Sequence, residues 1–154
     1  NQHERAILHA DAGRIGAVRG PLHPAAWAAR MRGMRLLTAA IRAAALVPIL
    51  GGAGGAVLGS RFLGEPCGAA ADSHLRYLSG VLLGLGLVAV WCAADLRRRV
   101  LVFEALCAVV ALGGLARLAG LLAATPPWPH LLALVMELGV VPALWLWCRQ
   151  ACRS

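Results

Sequence analysis

One arginine, Arg117, stands inside ALGGLARLAGLLAA, Ala111 to Ala124, a stretch otherwise apolar enough to cross a bilayer. A charge at membrane depth costs roughly 2.5–3.5 kcal/mol on insertion scales, so it persists where it faces a bundle interior, a water-filled cavity or an opposite charge. Arg117 therefore needs a partner, and the best candidate is Glu137 in the next apolar segment.

Composition sets the class around that residue. The chain is 60% hydrophobic and only 14% charged, against a globular norm of about 25% charged, which identifies an integral membrane protein. A crossing needs about 20 apolar residues, so 154 residues hold four spans, a tail and short loops in one domain. The expected fold is all-α, a transmembrane four-helix bundle occupying residues 34–154, with spans near 36–59, 75–94, 100–123 and 130–148.

All fifteen basic residues are arginine, a bias that looks like the codon usage of a GC-rich bacterial genome. The net charge of +8 does not indicate nucleic acid, because most of the arginines flank apolar spans, where they set orientation or meet anionic headgroups. The five cysteines, Cys67, Cys92, Cys107, Cys148 and Cys152, form no C-x-x-C pair and no metal-ligand spacing. Neither a metal nor a cofactor is implied.

Residues 1–33 are polar and mixed in charge, with Pro21 and Pro24, and read as a disordered or loosely surface-bound cytosolic tail. Met31 and Met34 stand just before the first apolar run, so translation starting at either is one reading and a real tail with a surface segment around Trp27 is the other. In the first span, Arg42 lies near the cytosolic end, Pro48 predicts a kink, and Gly51, Gly55 and Gly59 repeat every fourth residue as a packing stripe. A cleaved signal peptide also fits an arginine-led apolar run ending in small residues, but leaves that stripe without a use.

Arg61 to Ser73 reads as a loop. The second span opens on Arg76 and Tyr77, with Gly80 and Gly84 on the face of Arg76, which predicts that Arg76 turns into the bundle. DLRRR, Asp95 to Arg99, joins the second and third spans. In the third, Glu104 lies well around the helix from Arg117, whose side also carries Gly113 and Gly120; Gly114 adjoins them. Glu104 is expected to reach the cytosolic surface toward Arg97 or Arg149. The turn TPPWP brings Trp128 as an interfacial anchor, and the last span carries Glu137 and a kink at Pro142 before Arg149 and Arg153. Arginines cluster at Arg30, Arg32, Arg35, Arg97, Arg98, Arg99, Arg149 and Arg153 on one side, against Arg61 and Arg76 on the other, which predicts both termini in the cytoplasm.

RYLSGVLLGLGL, GGLARL and ELGVVP, over about Arg61 to Arg149, resemble a bacterial four-span membrane family known as domain-of-unknown-function family 4345. The most specific parts are Arg76 with Tyr77, the Gly113-Gly114-x-x-Arg117 run, and Glu137. The resemblance implies the four-helix architecture and a bacterial membrane setting, and brings no activity with it.

Arg117 and Glu137 each lie some six or seven residues inside the outer ends of their spans, roughly 10 Å deep, so facing helices can close the pair. Arg76 can reach down to Glu137 or up to Asp72 one turn before it. Read structurally, Arg117 and Glu137 lock two helices in register. Read functionally, Arg76 and Arg117 against Glu137 leave one cation in excess, which suits a carboxylate, phosphate or lipid headgroup; Asp72, Tyr77, His74 and His130 lie nearer the outer surface. Three functions follow in order: a structural or accessory protein of a membrane complex, working beside a partner or a second copy; a small transporter or binding protein for an anionic or lipidic solute; and, last, an enzyme, for which no nucleophile, nucleotide loop or metal motif is visible.

Overall fold

The computed structural model describes residues 24–64, 67–121 and 128–153. Every element in them is helical: α1 (Pro24–Leu58), a 3-10 turn (Gly59–Leu63), α2 (Ala69–Ala94), α3 (Val100–Gly120), α4 (Trp128–Val135), a π turn (Met136–Val140) and α5 (Val141–Arg153). Four stretches are long and apolar enough to cross a membrane: Ala25–Phe62, Ala69–Ala94, Val100–Gly120 and His130–Cys152. The fold is thus all-α with four membrane-span-like helices, as composition and segment length predict.

The chain divides into two compact units, Asn1–Gly33 and Met34–Ser154. In the first, residues 24–33 are helical, the stretch around Trp27 that one reading made a surface segment. The local reason is plain: proline is pre-organised for the first helical position, and Ala25, Ala26, Ala28, Ala29, Arg30 and Met31 are strong helix formers. The expected tail before residue 24 lies outside the described residues, as do most of the turn TPPWP and residues 65 and 66.

In the second unit all four spans close on one core at the end that carries the Asp95–Arg99 connection. Leu37 and Ile41 of α1 meet Cys92, Ala93 and Leu96, Phe103 and Cys107 of α3, and Leu144 and Cys148 of α5. The buried cysteines act there as small apolar side chains. Outward, Leu46, Leu50, Leu87, Val109 and Leu112 are exposed, an apolar exterior that suits lipid. Tyr77 is exposed near the start of α2 and Trp91 near its end, about 20 Å apart along the helix, the arrangement of two interfacial aromatic belts.

Glycines bring the helices together, though not all those expected to. A Cβ on Gly52 would stand 2.5 Å from the backbone nitrogen of Leu83 and 2.7 Å from the carbonyl oxygen of Ser79, and one on Gly55 would meet Ser79. Gly86 lies against Ile49. Gly55, Gly59 and Gly114 do sit at close approaches, but Gly51, Gly80, Gly84, Gly113 and Gly120 have nothing within 4 Å of an added Cβ. The correction is one of position. The close approaches on the first span fall at Gly52, Gly55 and Gly59, three and four residues apart, and Gly51 lies about 100° around the helix from Gly52.

The fourth span holds a feature the sequence reading did not specify. Just ahead of Pro142, where a kink was expected, the chain opens a π turn over Met136–Val140, with the Val141 N–H donating to the Met136 carbonyl. Proline has no N–H and its ring clashes with the carbonyl four residues back in a regular helix. A widened turn just before it relieves that conflict, and single π turns recur at functional sites. Glu137 lies in this turn.

Candidate functional site

Two ion-pair clusters form at the ends of the spans away from the shared core. In one, Arg117 Nε donates to Glu137 Oε2 at 3.0 Å and Nη2 to Oε1 at 3.2 Å, a fork that uses both carboxylate oxygens. Arg117 Nη1 also lies 3.1 Å from His130 Nδ1. A guanidinium only donates, so His130 Nδ1 is the acceptor of that contact. The Arg117 side chain is 37% exposed and that of Glu137 17%.

Local sequence explains the short pair. A Cβ on Gly114 would lie 2.8 Å from both Glu137 Cβ and Leu138 Cδ2, so the glycine lets α3 approach the π turn closely. Arg117 follows one helical turn later, on a neighbouring position of the same helix surface. The π turn supplies the other half by placing Glu137 opposite.

The second cluster closes the α1–α2 connection. Arg76 Nε donates to Asp72 Oδ2 at 2.8 Å. Its Nη1 donates to the carbonyls of Ala56 at 3.1 Å and Val57 at 2.7 Å, and the Ser60 N–H donates to Asp72 Oδ1 at 2.7 Å. Carbonyls in the last turn of a helix lack intrahelical donors, so Arg76 caps α1 where its dipole is negative. Gly59 has φ +59 and its missing Cβ would meet Asp72 Oδ1 and the Arg76 guanidinium. A left-handed backbone and a tight polar neighbour together require glycine there.

The clusters are separate, which corrects the idea of Arg76 and Arg117 sharing Glu137. Arg76 takes the upward choice, Asp72, because that carboxylate is one turn away on its own helix and α1's carbonyls lie beside it. Among the described residues Glu137 pairs with Arg117 alone. Tyr77 and His74 are exposed and make no side-chain hydrogen bond among the described residues. His130 was placed at the surface by its sequence position; its contact with Arg117 was missed, although standing seven residues before Glu137 puts it near the same face of that span.

At the other end one arginine serves the same capping chemistry. Arg99 donates to the Trp91 carbonyl and lies 3.9 Å over the Trp91 ring. Glu104 pairs with Arg149 at 3.6 Å, one of its two expected partners, and Arg149 stacks 4.9 Å over Trp145. Cys148 and Cys152 lie with their sulfurs 3.9 Å apart. No cluster of three metal-ligating side chains occurs among the described residues.

A family model described as Domain of unknown function (DUF4345) matches residues 34–148, a range that reaches all four spans. No curated protein and no solved structure matches the chain.

Proposed function

The chain belongs to the DUF4345 family, a domain of unknown function, and from that premise we propose that it is a structural or accessory subunit of a complex in a bacterial inner membrane. The observation that carries this reading is how the deep charges are used. Arg117 is committed to Glu137 and His130, and Arg76 to Asp72 and the carbonyls of α1. Both sets tie helix to helix. The glycine faces at Gly80 and Gly84 and at Gly113 and Gly120 are open, and small residues on a lipid-facing surface allow another helix close approach.

Purification in mild detergent tests this. The expected result is a stable oligomer or a stoichiometric membrane-protein partner; a lone monomer that supports pH-dependent uptake of an anion in vesicles overturns it. The second reading, a small transporter or binding protein for an anionic or lipidic solute, is favoured by one feature. Three ionisable groups, Arg117, Glu137 and His130, meet at a π turn, and membrane glutamates of this kind couple protons.

Both termini are assigned to the cytoplasm from the arginine asymmetry. Cys67 is exposed between α1 and α2 and is expected to react with an impermeant thiol reagent added outside intact cells. A cysteine introduced as Ala94→Cys is expected to stay protected from that reagent. The reverse pattern inverts the protein and moves the Arg117 cluster to the inner face.

A further inference from the structure

We propose that the first span binds an anionic phospholipid, with the headgroup phosphate held by Arg35 and Arg42. The two arginines are seven residues apart on α1, so they lie within about 20° of one line along the helix. Thr38 follows Arg35 by three residues and precedes Arg42 by four, which makes its hydroxyl a neighbour of both. Both arginine side chains are exposed, and neither enters an ion pair or side-chain hydrogen bond among the described residues. Arg76, Arg99, Arg117 and Arg149 are committed to carboxylates or backbone carbonyls; these two are not.

Depth selects a lipid. Leu37 and Ile41 belong to one core with Cys92, Ala93 and Leu96, so the part of α1 that carries Arg35 and Arg42 lies at the end of the bundle that holds the Asp95–Arg99 connection. Arg42 lies about 7 Å along the helix beyond Leu37. Helical side chains lean toward the N-terminus, and an arginine extends its guanidinium to the interface while its stem stays among apolar groups. Arg42 therefore leans up toward the level of Arg35. Deeper on the same side, Leu46 is 53% and Leu50 67% exposed, offering an apolar track for acyl chains. Charge at headgroup level followed by leucines at chain level matches a phospholipid from end to end, and a free phosphate has no use for the lower half.

Native mass spectrometry of the full chain, titrated in detergent with phosphatidylglycerol and phosphatidylcholine, tests the site. The first phosphatidylglycerol is expected to bind about thirtyfold more tightly than phosphatidylcholine, the scale set by two arginines at an anionic surface. The variant Arg35→Gln/Arg42→Gln loses most of that preference. Arg97 and Arg98 are exposed at the same end, so Arg97→Gln/Arg98→Gln removes equal charge and is expected to keep it. The proposal is overturned if the wild-type chain shows no preference, if the Arg97/Arg98 variant loses as much, or if excess inorganic phosphate displaces the lipid. All four side chains are exposed, so neither double variant disturbs the core.

Discussion

Replacing Arg117 by leucine is expected to destabilise the fold by about 3 kcal/mol, the lower end of the cost of breaking a buried pair. The lower end applies because the Arg117 side chain is 37% exposed. Glu137→Leu is expected to cost a similar amount, since it leaves a guanidinium that has bonded both carboxylate oxygens with only His130 beside it. In each single variant the remaining charge stays in place without its counterpart. The double variant Arg117→Leu/Glu137→Leu removes both charges, and residues in direct contact show coupling of about 0.5–3 kcal/mol, so it is expected to recover most of the loss. Thermal unfolding in detergent, read for the full cycle, decides it: additive losses would show that the two side chains do not act as a pair. The folded double variant also separates the readings of the cluster. If assembly and any anion uptake both persist, the pair is a helix lock; if assembly persists but uptake of an anion is lost, the cluster handles a solute.

A methyl group at Gly52 should cost about 2–3 kcal/mol, the upper range for overpacking a closed interior. Its Cβ would lie 2.5 Å from Leu83 nitrogen, 2.7 Å from Ser79 oxygen and 2.8 Å from Leu83 Cα. These are backbone atoms of α2, which cannot rotate aside, so α1 and α2 must separate along the whole seam. Gly51→Ala is the matched control. Nothing lies within 4 Å of its added Cβ, and exchanging glycine for alanine inside a helix gains about 0.5–1 kcal/mol. Opposite signs at adjacent positions are therefore expected from the same substitution. Equal effects at Gly51 and Gly52, measured by melting in one detergent, would place the seam elsewhere.

The residues foretold different features with different success. Four spans were legible because hydrophobicity over twenty residues is a property of the segment itself, and the four helices fall where the apolar runs lie. Arg117 and Glu137 were legible as partners because an isolated charge at membrane depth is costly enough to demand one. Glu104 was narrowed to Arg97 or Arg149 for the same kind of reason, and Arg149 took it. In each case one large energy term acted through residues whose positions along their helices set their depth.

Rotation about each helix axis, and the choice among near-equal local partners, were decided by tertiary structure alone. Which of two adjacent glycines meets the next helix turns on 100° of rotation, and the seam chose Gly52 over Gly51 and Gly114 over Gly113. Arg76 had Asp72 and Glu137 as candidates; the end of α1 settled it by presenting the carbonyls of Ala56 and Val57 beside Asp72. Pro142 announced a break in the last helix, but the form of that break, a π turn over Met136–Val140, depended on what stood opposite. Gly114 leaves room for the π turn, and Arg117 rewards it with a bond to Glu137. Depth follows from counting residues along one helix, whereas facing is a relation between two helices that only their packing defines.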